Sequence, residues 1–445
     1  MKKILSLFML GSVLFLFGCG SAEKIISDKP TQTELIKMYN SVETNYDLNN
    51  INELTIQDAV KIAFKNNPEL KSFQLEVNAL EFAAFQSGLL PNPELGIEAE
   101  NIFGTNNFSA FKQGETTVSI SQNILLAGKL KKRQKVSSLT TDLAAWDYEV
   151  KRLEVLTEVR RIFTRAIIIQ KEILQNKELL KISKEFVNNL KSRVDAGKIS
   201  PAEVSRADII VNLIELNLEN SNLEYSSQLN KLKSTLGDNS LKINNLSGAP
   251  FSILELPDYS ELLTLVEQHP SLKRFDKEFE KQKAVIELEE ANGIPDLTLS
   301  VGFRRFNETK DNAFVLGASI PLPLFDKNQG TIEEAKIRYD KVETEFIQIR
   351  NNLFSEFNIL FQQIKNTFSA IKKLKEETIP SAKNAFQIIK EGNLLGKFTI
   401  LDVLDSEKTL FELQNQYLKR LGELNINIIE LEGLTGAEIN KEGIK

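Results

Sequence analysis

Two acidic residues, Asp402 and Asp405, are the best candidates for chemistry in this sequence. They lie three positions apart at the start of a helix predicted over about 399–434, and this spacing brings two side chains to one face. Carboxylates placed this way attract cations. They also stabilise the first turn of a helix through its dipole, and the pattern alone does not separate the two interpretations.

Enzymatic chemistry has few candidates elsewhere. His269 is the sole histidine and is predicted to lie in the turn before Pro270, while Cys19 is the sole cysteine. Metal sites built on Cys or His clusters, and Ser–His or Cys–His catalysis, therefore lack convincing residues. No Gly-rich phosphate loop is visible either. We expect no catalytic residues, no metal site and no cofactor, and hence a protein that is not an enzyme.

The start of the chain predicts export. Residues 1–18 combine Lys2 and Lys3 with an apolar run that is shorter than the roughly 20 residues of a membrane-spanning helix, as in a signal peptide. Leu16-Phe17-Gly18-Cys19 resembles a bacterial lipobox, which predicts lipid (palmitate) attachment at Cys19. The alternative is an ordinary secretory signal with an incidental cysteine. Residues 19–53 are polar and irregular, and we interpret them as a lipid-anchored tether or a surface wrap.

The net charge of −6 argues against nucleic acid as a partner, because such proteins favour a basic surface. After the signal, no apolar stretch is long enough for a membrane helix. If the protein crosses a membrane, it must therefore do so with strands.

The rest of the chain is a tandem duplication. Gly197 and Gly396 lie 199 residues apart in similar surroundings, as do Gly237 and Gly436. We place the first repeat at 54–237, a linker or equatorial region at 238–257, the second repeat at 258–436 and a tail at 437–445. Each repeat contains helices, a pair of strands and one very long helix.

Alternating apolar and polar residues predict strands at about 94–103 and 116–125, and again at about 296–306 and 312–321. Each run is close to the length of a tilted membrane strand. A soluble hairpin with one buried face is the alternative. Arg304 and Arg305 could point into a barrel lumen or lie at its rim.

The long helices are predicted at about 130–196 and 331–395. Val155, Val159 and Ile162 begin a seam with alternating steps of four and three residues, which is typical of a coiled coil. A helix of this length is a rod of roughly 100 Å, and Pro380 should interrupt the second rod.

Four strands cannot close a barrel, and open sheet edges are not tolerated in lipid. A chain whose strands span a membrane must therefore oligomerise. Two copies would supply eight strands, with an interior that side chains nearly fill, whereas three would supply twelve and leave room for a channel.

At this point the chain resembles the TolC-like outer-membrane efflux proteins. The resemblance rests on the segment 54–60 leading to Asn67-Pro68-Glu69-Leu70, on the tandem halves, and on Gly396 followed by the Asp-Val-Leu-Asp motif at 402–405. The lipobox and the segment 196–204 look more like the heavy-metal branch, the CzcC-like and CusC-like proteins.

This resemblance implies an α+β membrane protein, mostly long α-helices that form a helical barrel in the periplasm. Four transmembrane β-strands per chain would join a trimeric twelve-stranded β-barrel in the outer membrane. The homotrimer would be a passive exit duct, with heavy-metal cations as the expected cargo. Its partners would be a periplasmic adaptor (membrane fusion protein) and an inner-membrane pump, of the resistance-nodulation-division type.

The resemblance also assigns sites. The expected periplasmic constriction contains Asp402, Asp405, Phe398, Glu203 and Arg206. Glu203 and Arg206 are the first-repeat counterparts of the aspartates and are expected to pair across the mouth. Phe398 replaces a basic gate residue of the prototype, so an apolar plug is expected instead of a latch. The helix turns expected to meet the adaptor are Gly197, Lys198, Gly396 and Lys397.

Two alternative functions remain open from the sequence. Within the family, the duct could serve drugs and other organic compounds or type I protein secretion, because the pump chooses the substrate. From another class, a periplasmic lipid-anchored coiled-coil scaffold would explain Cys19 and the seam, but not the four amphipathic strands.

Overall fold

The computed structural model describes residues 30–40, 51–248 and 258–439, so the signal segment and Cys19 lie outside the described residues. The elements up to residue 248 are α1 (Glu34–Asn40), β1 (Ile51–Leu54), α2 (Ile56–Asn66), α3 (Pro68–Ser87), β2 (Glu94–Glu100), β3 (Glu115–Ile124), α4 (Lys129–Asp195), α5 (Pro201–Leu236) and β4 (Ile243–Leu246). Those after residue 258 are α6 (Tyr259–Val266), α7 (Pro270–Asn292), β5 (Leu297–Phe306), β6 (Asn312–Ser319), α8 (Gln329–Lys373), a π-helical turn (Leu374–Thr378), α9 (Ile379–Leu394) and α10 (Ile400–Thr435).

None of the helices in these described ranges combines the length and the apolar composition that a membrane crossing requires. The chain divides into two compact units. One consists mainly of residues 75–146 and 274–346 and contains the large sheet, and the other contains most of the helical residues.

The large sheet is antiparallel with the order β2-β3-β5-β6. The central ladder, β3 with β5, joins the two repeats and places Ile120 opposite Val301. Strand β2 ends at Glu100, short of the predicted end near 103, because Asn101 and Phe103 both adopt a left-handed backbone with φ of 58°. β6 likewise ends at Ser319 instead of near 321.

The two faces of this sheet differ in chemistry. Small and polar residues occupy one face. The other carries large apolar side chains that are 42–80% exposed, namely Leu95, Ile97, Val118, Ile120, Leu299, Val301, Phe303, Phe314 and Leu316. A contiguous exposed apolar patch of this kind requires an apolar partner or lipid.

The helical unit is held by the predicted seams. Val155, Val159 and Ile162 of α4 are buried together with residues of α2 and α5. Phe357 and Ile364 of α8 are buried in a second core with α10 and α6. The sequence periodicity therefore identified the correct inward face of both long helices.

Residues 19–53 are not irregular throughout, which corrects the predicted irregularity and agrees with the surface wrap. α1 buries Leu35, Ile36 and Tyr39 in the first helical core. β1 pairs in parallel with β4, with Leu54 opposite Leu246. β4 lies in the segment predicted as a linker. Each of these short strands pairs with a partner far away in the sequence, so local periodicity could not reveal either of them.

The interruption predicted at Pro380 takes the form of a π-helical turn just before it. The amide of Ile379 donates to the carbonyl of Leu374, five residues back, where a regular helix would reach four. Proline lacks the N–H of a regular helix, and its ring collides with the carbonyl four residues earlier. A wider turn removes that collision without ending the rod.

Two arginines of α4 hold α1 in place. Arg160 forms a buried ion pair with Glu432 of α10, with side chains 3% and 2% exposed, and its guanidinium lies 5.8 Å from the Tyr39 ring. Arg152 donates to the side-chain oxygen of Asn40 at 3.1 Å. Glu432 also accepts the amide of Ile439 at 2.8 Å. These contacts tie both ends of the described chain to one long helix.

Substitution Arg160→Met should strongly destabilise the helical unit, because it leaves the Glu432 carboxylate buried without its cation. Breaking a buried pair in this way costs about 3–5 kcal/mol. The matched control is the neighbouring Arg161→Met, whose partners Glu158 and Glu430 are both partly exposed and whose loss costs less than about 1 kcal/mol. Thermal unfolding of the purified protein in detergent measures both, and equal shifts in Tm would contradict the assignment.

The sole histidine caps a helix. His269 is buried, and its Nδ1 accepts the amide of Ser271 at 3.2 Å at the start of α7. Its first-repeat counterpart is Asn67, whose Oδ1 accepts the amide of Leu70 at 3.1 Å at the start of α3. Burial lowers the pKa of His269 from 6.5 to about 4.

Stability should therefore fall as pH drops from about 6.5 to about 4. In this window the unfolded chain binds a proton that the folded His269 does not, so the free energy of unfolding decreases, by up to about 3 kcal/mol. His269→Asn keeps a cap acceptor without a titrating group and should lose less stability over the same range. Identical pH profiles of Tm for the two proteins would overturn this prediction.

Candidate functional site

The two helix turns predicted from the duplication have the same backbone structure. Gly197 and Gly396 have φ of 67° and 72°, which is the left-handed conformation that favours glycine. In each turn the following lysine amide, of Lys198 or Lys397, donates to the carbonyl five residues back at 2.9 or 2.8 Å. This is the Schellman arrangement. Apart from the glycine and its two chain neighbours, no atom of the described residues lies within 4 Å of the Cβ position at either glycine, and both lysines are exposed.

The helices after these turns begin with side-chain caps. Ser200 accepts the amide of Ala202 at 3.3 Å before α5. Thr399 forms a capping box with Asp402 before α10, in which each side chain accepts the other's backbone amide. The second turn is therefore the more strongly fixed of the two.

Asp402 is fully exposed and has a structural role. Its carboxylate accepts both the hydroxyl and the amide of Thr399 at 2.7 Å. The Thr399 hydroxyl, and then its amide, hold the pKa of the Asp402 carboxyl below its usual value. Asp405 is exposed one turn further along. The cap and a negatively charged surface therefore coexist at this helix start.

Glu203 and Arg206 pair with each other. Their closest side-chain atoms are 3.6 Å apart within α5. Within the described part of the chain, no ion pair joins either residue to Asp402 or Asp405. One chain thus presents a neutralised pair on α5 and two aspartates on α10.

Phe398 is packed against a residue that sequence reasoning missed. A Cβ atom at Gly392 would overlap Cδ2 of the Phe398 ring, so only glycine leaves room for the ring there. Asn393 donates to the Phe398 carbonyl at 2.9 Å. A glycine followed six positions later by an aromatic residue is the sequence pattern that could have indicated this contact, although the pattern is not specific.

A small apolar core brings the two turns together. It contains Val187 and Leu190 of α4, Ala207 and Val211 of α5, and Ile400 and Leu404 of α10. Next to it, between α4, α5 and α10, lies a cavity of about 290 Å³.

Glu407 lines this cavity and was also missed. It is 7% exposed, and burial raises the pKa of its carboxyl, an effect that the positive charge of Lys390 opposes. Its position four residues after the buried Val403 and three before the buried Leu410 places it in the seam register. An acidic residue at a position of the apolar seam is the sequence pattern from which Glu407 could have been identified.

The polar face of the sheet carries a second cluster of charged residues. Arg304 of β5 contacts Glu115 of β3 at 2.9 Å, Glu100 of β2 at 2.8 Å and the hydroxyl of Thr117 at 2.8 Å. This places Arg304 on the polar face, which the sequence left undecided. Arg305 belongs to the apolar face, in register with Thr116 and Asn312.

Comparison with known proteins places this geometry in a family. The sequence model of the family described as "Outer membrane efflux protein" matches residues 59–238 and 263–437. The cobalt-zinc-cadmium resistance protein CzcC of Cupriavidus metallidurans is 28% identical over 370 residues, covering 83% of this chain and 87% of that protein. The nickel and cobalt resistance protein CnrC of the same organism is 22% identical over 284 residues, covering 64% and 67%. The pyoverdine export outer membrane protein OpmQ of Pseudomonas putida is 20% identical over 410 residues, covering 86% of each.

Solved structures share the fold. CusC superposes with a TM-score of 0.72 at 16% identity, covering 93% of this chain and 99% of that one. The Campylobacter jejuni CmeC outer membrane channel gives 0.73 at 16% identity, covering 92% and 95%. The resemblance predicted from the motifs is therefore confirmed. The family and fold are those of channel proteins and not of enzymes. The chain belongs to the outer membrane efflux protein family, and it is an outer-membrane efflux channel that extends into the periplasm.

Proposed function

We propose that this chain assembles as a homotrimer whose twelve strands close one barrel in the outer membrane, and that the assembled duct passively conducts heavy-metal cations. The observation that carries the proposal is the four-stranded sheet, with one exposed apolar face, one polar face and an open edge at β2 and at β6. A sheet of this kind is compatible with lipid only when further copies close it. Three copies give an interior wide enough for a channel.

The cation preference is supported by charge. The polar face of the four strands carries Glu94, Glu98, Glu100 and Glu115 against one guanidinium, that of Arg304. At the helix turns, Asp402 and Asp405 would form an acidic ring in a trimer, which favours cations. The relatives named for cobalt, zinc, cadmium and nickel resistance agree with such a cargo.

A second cargo class has one observation in its favour. The pyoverdine export relative matches over most of this chain, and its name specifies an organic compound. Comparing a strain that lacks this chain for sensitivity to metal salts and to organic compounds separates the two. Sensitivity to organic compounds alone would contradict the metal cargo but not the duct.

The partners follow from the turns. Gly197 with Lys198 and Gly396 with Lys397 present exposed, conformationally fixed backbone that suits contact with a periplasmic adaptor. The energy for transport would come from an inner-membrane pump of the resistance-nodulation-division type. Phe398, with the ring packed on Gly392, would supply the apolar part of the constriction.

Single-channel recording on the purified oligomer tests the duct and its constriction together. The wild-type protein should form ion-conducting openings that prefer cations. Asp402→Asn with Asp405→Asn should lower the cation preference, because the acidic ring is lost while an amide oxygen at position 402 still accepts the Thr399 amide. Reversal potentials in a salt gradient measure the preference.

The matched control is Glu423→Gln, an exposed acidic residue of α10 that pairs with Arg420, far along the helix from the turn. It should leave the reversal potential unchanged. Unaltered selectivity in the double variant would reject the acidic ring, whereas a monomer that needs no detergent and forms no channels would reject the duct itself.

Lipid attachment at Cys19 remains a proposal, since this residue lies outside the described residues. Cys19→Ser should remove the lipid mass seen by mass spectrometry and metabolic labelling with palmitate. The variant should still require detergent for extraction, because the apolar face of the sheet is unchanged. Release from the membrane without detergent would instead favour the lipid-anchored scaffold.

A further inference from the structure

The segment that follows β6 is the most exposed apolar stretch of the sheet-containing unit. Ile320, Leu322 and Leu324 are 48%, 75% and 72% exposed, and Phe325 is 91% exposed. The segment follows the edge strand β6, which ends at Ser319. It contains Pro321 and Pro323, and the amide of Leu324 donates to the carbonyl of Leu322 at 2.9 Å in a local turn. An apolar edge of this kind needs a specific partner.

The tandem duplication identifies equivalent strand positions in the two hairpins. Pro93-Glu94-Leu95 corresponds to Pro295-Asp296-Leu297, an offset of 202 residues, and Ser119-Ile120 corresponds to Ser319-Ile320, an offset of 200. The helices that follow agree, because α4 begins at Lys129 and α8 at Gln329. Gly96 and Ser119 are paired in the first hairpin, and their equivalents at these offsets are Thr298 and Ser319. Thr298 and Ser319 are also paired in the structure. The two hairpins are therefore equivalent in register.

We propose that the β3·β5 ladder, which joins the two repeats inside one chain, also defines the ladder that joins one copy to the next. This inference rests on the proposed trimer and specifies its strand interface. The second strand of the second repeat, β6 with residues 320–325, would pair with β2 of the partner subunit. The observed ladder contains the pairs Ile120–Val301, Gln122–Leu299 and Ile124–Leu297. Moving the first residue of each pair forward by 200 and the second back by 202 gives the proposed pairs. These place Ile320 opposite Ala99 of the partner subunit, Leu322 opposite Ile97 of the partner subunit, and Leu324 opposite Leu95 of the partner subunit.

The backbone supports this register at the β6 edge. The amide of Phe306 donates to the carbonyl of Asp311 at 3.0 Å, so β5 bonds to the odd-numbered residues of β6. The even-numbered residues of β6 then point their N–H and C=O groups to the open edge. In the proposed ladder residues 320–325 continue this alternation, so the bond between the Leu324 amide and the Leu322 carbonyl is replaced by bonds to the partner subunit. Because Pro321 and Pro323 are odd-numbered, their missing N–H groups do not fall on that edge.

The β2 edge has the complementary parity. The amide of Asn307 donates to the carbonyl of Gly114 at 3.0 Å, so β5 bonds to even-numbered residues of β3, and β3 bonds to β2 through its odd-numbered ones. In β2 the odd-numbered residues therefore face the open edge. The proposed pairs join even-numbered residues of one edge to odd-numbered residues of the other, so both sets of hydrogen-bonding groups find partners.

The side chains agree with the backbone. All three proposed pairs are apolar on the apolar face of the sheet, so the next copy's β2 would extend the lipid-facing band. Because β6 of one copy meets β2 of another, the contact is heterologous, and such a contact gives a ring when the rotation from copy to copy closes, as the proposed trimer requires. The exposed segment after β6 would thus be the subunit contact.

Cysteine cross-linking tests the register. Ile97→Cys combined with Leu322→Cys places the two thiols directly opposite each other across the interface, within disulfide reach. Oxidation in the native membrane should convert most of the protein to a covalent trimer on a non-reducing gel, and reduction should restore the monomer band.

The matched control is Ile97→Cys with Leu324→Cys, which shifts one thiol by two residues and separates the Cβ atoms by roughly 7 Å or more. It should cross-link only weakly, as should each single variant. A trimer that cross-links better with the shifted pair overturns the register while leaving the proposed duct intact. A protein that is monomeric in the membrane overturns both.

Discussion

The open edges of the four-stranded sheet impose the constraint on which the rest of the structure depends. Backbone N–H and C=O groups have no partner in lipid, so a strand edge in a membrane must be paired. One chain provides an apolar face for lipid and a polar face for a lumen, but it leaves β2 and β6 at the two ends of the sheet. The assembly and the conduit that we propose both follow from closing that sheet with identical copies.

The helical unit meets a different requirement, which is to keep very long helices in register. The apolar seams of α4 and α8 each pack into one of the two large cores, while buried polar groups fix the positions of shorter elements. The ion pair between Arg160 and Glu432 is the clearest case, because burial makes each charge depend on the other. The π-helical turn before Pro380 lets a proline interrupt the hydrogen bonding without ending the rod.

The turns combine rigidity with accessibility. A left-handed glycine, a Schellman hydrogen bond and a side-chain cap fix the backbone of each turn, yet the turn lysines and both aspartates remain exposed. Structural and functional interpretations of Asp402 are therefore compatible, since one carboxylate caps the helix and contributes charge to its surroundings. Glu407 lies behind this surface in a cavity, where burial favours its neutral form.

The sequence by itself determined the duplication, the strand faces, the seams and the turns, because each is encoded by residues close together in the chain. Alternation specifies the two faces of a strand, and a glycine followed by a capping threonine specifies a turn. Only the tertiary structure decided that α1 is buried, that β1 pairs with β4, that Arg304 contacts carboxylates on two strands, and that Gly392 makes room for a ring. The partners of α1, β1 and Arg304 lie far away in sequence, and local patterns carry no information about which distant residues meet. Gly392 and Phe398 are close in the chain, but only the path of the turn between them brings the ring against the glycine.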